Sequence, residues 1–236
     1  MLLDVLVLPQ LRNRDQVKRF VVFDILRATS TIVTALNNGA TEIIPVQENE
    51  EALNLVRSIG RNICLLGGEW KGYKIEGFDL GNSPLEYIRE RVSDKKVVLC
   101  TSNGTKAIKG VQSGAEVLIG SYLNMNQLVD YLVKNIQDTA LICSGRDENL
   151  SLEDLACAGM VTRLVTEAIE VDLTDSAKVA LFIAKQSEKT SLEKLVSETE
   201  HGRYLMENGM GQDLKVCTAL NSTPVLPRFE GGRIHI

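Results

Sequence analysis

A strand–helix pattern that is written twice narrows the possible folds of this chain more than any other feature. The run VVFD, ending at Asp24, is echoed by VVLC, ending at Cys100; NNGATEII is echoed by QSGAEVLI, and ICLLGG by LICSG. The offset is roughly 75 residues, the scale at which an internal repeat is sought. The shared glycine–alanine step at the helix–strand junction favours true duplication over two unrelated βαβ units. Short apolar runs alternate with helix-periodic segments, which predicts right-handed crossovers and a mostly parallel sheet. Strands are expected at Leu2–Leu8, Val21–Asp24, Glu42–Val46, Asn62–Leu66, Val97–Cys100, Glu116–Ile119 and Ala140–Cys143. Helices are expected at Ser30–Asn38, Asn49–Ser58, Pro84–Val92, Thr105–Val111, Asn124–Lys134, Leu152–Glu170 and Asp175–Lys185. Arg12 to Arg19 reads as a solvated connection, Trp70 to Pro84 as an irregular glycine-rich segment, and the C-terminal stretch from Cys217 as an edge strand and tail. The expected fold is α/β, a three-layer α/β/α sandwich with internally duplicated βαβ units.

A chain of 236 residues has room for one large domain or two small ones. No linker or low-complexity segment divides it, so a single compact unit over 1–236 is expected, built from related halves of about 1–94 and 95–236. The net charge of −5 argues against general nucleic-acid binding. The early apolar run LLDVLVL is too short and acid-interrupted to span a membrane or serve as a signal peptide, which predicts a cytoplasmic protein. The five cysteines form no CxxC pair and lie mostly in apolar runs, where reduced, buried thiols are expected rather than disulfides or zinc.

Parallel α/β sheets bind ligands beyond the carboxyl ends of their strands, so the polar residues there are the candidates. The first is the stretch after Val21–Asp24, which brings an acid, Arg27 and the hydroxyls of Thr29 and Ser30 to a helix start. Helix N-termini favour anions, and a carboxylate beside one needs a cation or a proton transfer to justify it. In the plainer alternative Asp24 ends a strand, Arg27 pairs with it and Thr29 caps the helix. The first half adds Glu69 and, on the loop GFDLGNSP, Asp79, Asn82 and Ser83. The second half adds Ser102, Asn103, Gly104 and Thr105 in the bend TSNGT, then Asn124, Ser144 and Arg146. TSNGT has the composition of an anion cradle but lacks the lysine and spacing of a P-loop. Asp24, Glu69 and Asp79 are oxygen donors suited to magnesium; Glu153 and Asp154 form a second acidic pair that suits a helix N-terminus equally well. Metal, arginine and amide cradle together are the equipment of phosphoryl transfer. There is no Ser-His-Asp order, and each lone histidine, His201 and His235, reads as structural more readily than catalytic.

The set DILRATST, GFDLGNSP, TSNGT, GSYLN and CSG followed by LEDLACAG resembles the 2-phosphosulfolactate phosphatase family over nearly the whole chain. The resemblance implies a magnesium-dependent acid phosphatase that converts (2R)-2-phospho-3-sulfolactate to 3-sulfolactate and phosphate, a step of coenzyme M biosynthesis. It also implies a duplicated α/β/α architecture. Leu26 stands where haloacid-dehalogenase-type enzymes need an acid, so a metal-activated water is preferred over an aspartyl-phosphate. On this reading Asp24, Arg27 and Glu69 are catalytic, and Asp24, Glu69, Asp79 and Asp154 are the metal candidates. Thr29, Ser30, Asn82, Ser83, Ser102, Asn103, Gly104, Thr105, Asn124, Ser144 and Arg146 are the substrate-binding candidates. One half would hold phosphate and the other, through Ser102, Asn103 and Thr105, the sulfonate. The expected partner is a small anionic phosphoester, with neither nucleic acid nor membrane, and a homodimer suits a compact α/β protein. Two alternatives remain open: a phosphatase of the same fold for another small phosphorylated acid, and a non-catalytic anion-binding protein.

Overall fold

The structure is a computed structural model, and residues 1–9, 17–111, 115–187 and 189–236 are described. Most of the expected Arg12–Arg19 connection and the Gln112–Gly114 part of the second glycine–alanine step lie outside them.

The chain begins with β1 (Leu2–Leu6), β2 (Arg19–Phe23), α1 (Ala28–Asn37), β3 (Glu42–Val46), α2 (Asn49–Ile59), β4 (Cys64–Trp70) and the short β5 (Tyr73–Lys74). A 3-10 turn at Pro84–Glu86 and α3 (Arg89–Val92) lead to β6 (Lys96–Cys100), α4 (Gly104–Lys109) and β7 (Glu116–Gly120). After a second 3-10 turn at Tyr122–Asn124 come α5 (Met125–Lys134), β8 (Thr139–Cys143), α6 (Leu152–Ala168) and β9 (Asp172–Leu173). The C-terminal part holds α7 (Asp175–Ser187), α8 (Leu192–Ser197), α9 (Glu200–Glu207), α10 (Gln212–Cys217), β10 (Arg228–Glu230) and β11 (Arg233–His235).

The strands form one sheet in the order β5-β4-β6-β3-β11-β10-β7-β2-β8-β1-β9. Outward from the central β10–β11 hairpin, one side reads β3, β6, β4 and the other β7, β2, β8. The leading strand of each half therefore sits between the second and third strands of the other half. Within each block the strands are parallel. The hairpin is antiparallel to both β7 and β3, so the two blocks run in opposite senses. Register levels the strand ends. Phe23 lies opposite Gly120 and Cys143, so Asp24, Ser121 and Ser144 leave the sheet together. Cys100 lies opposite Val46 and Gly68, so Thr101 leaves the sheet in the other block at the level of Glu69, where β4 runs on into its pairing with β5.

Strand periodicity accounts for the layers, because successive side chains point to opposite faces. On β2, Val21 and Phe23 pack into a cluster with α5, α6 and α7, whereas Phe20 and Val22 pack into a second cluster with α1 and α4. On β6, Val97 and Leu99 enter that same second cluster, while Val98 and Cys100 pack against α2 in a third. The middle cluster is thus common to both blocks, which brings α1 and α4 together. All five cysteines are free and buried.

Three expectations are corrected. The C-terminal segment forms neither an edge strand nor a loose tail. It turns through Gly231 and Gly232, both at positive φ as a two-residue hairpin requires, and completes the middle of the sheet with Ile234 fully buried opposite Ile43. Arg19 is not solvated; it opens β2 at 2% exposure, its Nε donating to Glu116 Oε2 at 2.5 Å. The expected helix Pro84–Val92 is broken at Tyr87 and Ile88, where the backbone leaves the helical region so that the Tyr87 hydroxyl can donate to the Gly81 carbonyl at 2.7 Å.

Candidate active site

β2 delivers Asp24 into the start of α1. Asp24 is 7% exposed. Its Oδ1 accepts from the Ala28 amide at 3.1 Å, and its backbone N–H donates to Thr29 Oγ1 at 3.1 Å. Thr29 also returns a hydrogen bond to the Asp24 carbonyl at 3.0 Å, so its hydroxyl braces the turn rather than facing a cavity. Arg27 does not pair with Asp24. Its guanidinium is buried against Asp213 Oδ2 at 2.6 Å and the Gly72 carbonyl at 2.6 Å. Asp213 accepts in addition from Ser83 Oγ at 2.5 Å.

The second block closes on the same point. A Cβ at Gly104 would stand 2.7 Å from Asp24 Oδ2 and 2.6 Å from the Ala28 methyl, so the TSNGT bend reaches Asp24 only because residue 104 has no side chain. Ser102 N–H donates to Glu69 Oε1 at 2.9 Å, and Gly72 N–H donates to Glu69 Oε2 at 2.6 Å. Glu69 thereby holds together the bend after β6 and the turn between β4 and β5. Thr105 donates its hydroxyl to the Thr101 carbonyl at 2.7 Å, which commits it to the first turn of α4.

Two further carboxylates come from the start of α6. Ser151 caps this helix, accepting from Asp154 N–H at 3.2 Å, and Glu153 and Asp154 occupy its positive end. Asp154 Oδ1 accepts from the Ile25 amide at 2.8 Å, one residue beyond Asp24. Glu153 Oε1 lies 3.5 Å from Nδ1 of His201 on α9. Burial pushes the Asp24 carboxyl up to about 6; Glu69 and Glu153 add to the rise, and the Ala28 amide and His201 oppose it. Asp154 is driven well above the carboxylate range by burial, then by Asp24 and Glu153. Burial acts to raise Glu153 too, but the His201 hydrogen bond and other contacts leave it below its ordinary value. The site is a buried, oxygen-rich cluster in which acids outnumber free cations, since Arg27 is already paired.

Other expected residues lie elsewhere or are committed to the fold. Asp79 Oδ2 accepts from Arg61 Nη1 and from Leu66 N–H, both at 2.8 Å. Asn124 forms a capping box with Ser121 and donates to the Ile119 and Val225 carbonyls at 3.1 Å. Ser30 donates to the Ile25 carbonyl at 2.9 Å and meets Ser121 Oγ at 3.0 Å. The Arg146 guanidinium stacks on the Tyr204 ring of α9 at 4.6 Å. Among the described residues, Asn82 Oδ1 and Ser144 Oγ are buried without a hydrogen-bond partner, an uncommon state for interior polar atoms. The approach of α9 was not expected from sequence. The only local signal for it was the HGRY stretch itself.

Among the described residues, no three His, Cys, Asp or Glu side chains are grouped so as to hold a metal ion by themselves. The donor chemistry nonetheless fits magnesium, which is held by one or two carboxylates and keeps several waters. Asp24 and Glu69 are the carboxylates that would hold it, and both Glu69 oxygens also accept from backbone N–H groups. Burial is the main cause of the raised Asp24 carboxyl, and Glu69 and Glu153 add to it; a divalent ion would offset that neighbouring negative charge.

Comparison with known proteins gives a consistent result. The family model described as 2-phosphosulpholactate phosphatase matches residues 6–232. A protein of Caldanaerobacter subterraneus subsp. tengcongensis named probable 2-phosphosulfolactate phosphatase is 39% identical over 226 residues, covering 95% of this chain and 93% of its own. A protein of the same name from Clostridium tetani is 41% identical over 217 residues, covering 92% and 91%. Another from Carboxydothermus hydrogenoformans is 39% identical over 238 residues, covering 100% and 97%. The family model and the relatives, all matched over nearly the whole chain, agree: the chain belongs to the 2-phosphosulpholactate phosphatase family.

Proposed function

We propose that this protein is a magnesium-dependent phosphatase that hydrolyses 2-phospho-3-sulfolactate to 3-sulfolactate and phosphate. One observation carries the reading: a buried carboxylate, Asp24, stands in contact with a glycine bend that Glu69 holds in place, in a chain whose residues 6–232 match this family. Asp24 accepts the proton of the attacking water through the carboxylate oxygen that does not hold the metal. The 102–105 bend faces the phosphoryl oxygens, and Gly104 sets how closely they approach Asp24. The remaining anionic groups of the substrate face Arg146. Asp24 and Glu69 would hold the magnesium ion, which when bound supplies Lewis-acid stabilisation of phosphoryl charge and a more acidic water.

Phosphate release from 2-phospho-3-sulfolactate, ranked by kcat/KM against other small phosphorylated acids, tests the assignment. Activity should vanish with EDTA and return with magnesium. Indifference to chelation removes the metal from the mechanism, and a clear preference for another ester replaces the substrate.

A further inference from the structure

His201 lies in the first turn of α9, which Thr199 caps by accepting from Gly202 N–H at 3.0 Å. The imidazole is 17% exposed, and its Nδ1 faces the 3%-exposed carboxylate of Glu153 at 3.5 Å. The ring is tilted against Tyr204, with centroids 6.3 Å apart, and Arg146 stacks on that tyrosine. Asp24 is the other acid near enough to feel its charge. Nε2, on the opposite side of the ring from Glu153, has no hydrogen-bond partner among the described residues. At 17% exposure that nitrogen is open to water rather than buried and unsatisfied. One nitrogen anchored by a buried carboxylate and one left free is the arrangement of an oriented proton donor.

We infer that His201 is the general acid of this site, held by Glu153 and donating from Nε2 to the alcohol oxygen that leaves phosphorus. The inference rests on the phosphatase reading above. As water oxygen bonds to phosphorus, the ester P–O bond breaks and its electron pair goes to the departing oxygen. That oxygen takes the Nε2 proton, Asp24 takes a proton from water, and solvent exchange returns both groups to their starting states. The net reaction is ester plus water to alcohol plus inorganic phosphate.

An alkyl phosphate needs such a donor far more than an ester with a stable aryloxide leaving group. The test is kcat/KM with magnesium for wild type, His201→Gln and Glu153→Gln, on glycerol 2-phosphate and on p-nitrophenyl phosphate, with circular dichroism to verify folding. His201→Gln should lower the alkyl rate by about 10²–10³ and raise the aryl-to-alkyl ratio by about 30-fold or more, within the usual range for general acid catalysis. Glu153→Gln should shift the ratio the same way, but less. Equal losses on both esters in a folded variant, or an unchanged ratio, overturn the inference while the phosphatase reading stands. A wild type that releases no phosphate from these esters or from 2-phospho-3-sulfolactate overturns both.

Discussion

Asp24 is held where its charge is least welcome. Its folded pKa of about 6 lies above the ordinary 3.8, so protonation favours the folded state. The penalty of ionising it therefore grows as pH rises between those values and is complete at pH 7. A shift of this size corresponds to about 1–3 kcal/mol. Asp24→Asn should accordingly raise stability at pH 7 by about that amount in metal-free buffer, show no gain near pH 3, and lose at least about three decades of turnover, as removal of a proton acceptor does. Thermal melts at both pH values, with phosphate-release kinetics alongside, check all three. The acid and its flanking hydroxyls were legible in the motif DILRATST because strand end and helix start are local features. The partner of Arg27 was not, since Asp213 lies 186 residues further along the chain.

At the scale of elements, the site depends on short segments that bury little apolar area of their own. α10, the Pro84 turn and the β4–β5 turn are tied to the start of α1 by the Arg27–Asp213 pair, by Ser83 and by the Gly72 carbonyl. Both members of that pair are nearly inaccessible, at 3% and 4%. Removing one partner of a buried pair leaves an uncompensated charge at a cost of about 3–5 kcal/mol. Asp213→Ala should lower the urea midpoint by the equivalent of that loss with an unchanged m-value, and should weaken catalysis by releasing Arg27. The long helices and central strands were readable from periodicity alone. The break at Tyr87–Ile88 was not, because it is set by where the Tyr87 hydroxyl finds a partner, a tertiary matter.

For the molecule as a whole, interleaving decides stability. Neither half owns a complete block: β2 needs β7 and β8, and β6 needs β3 and β4. We therefore take the chain as one folding unit. Residues 1–94 and 95–236 produced separately should each lack cooperative unfolding, and mixing them during refolding should restore it. A cooperative melt from either half alone would count against this view.

By itself, the sequence determined the alternation of strands and helices, the repeat, and the acids and glycine bends at the strand ends, because those follow from local periodicity and turn chemistry. Only the tertiary structure decided that the repeats exchange their leading strands, that the C-terminal hairpin fills the centre of the sheet, and that α9 brings His201 to Glu153. These are pairings between segments many residues apart. They are chosen by which apolar faces and polar ends can be satisfied together, and no local pattern records that choice.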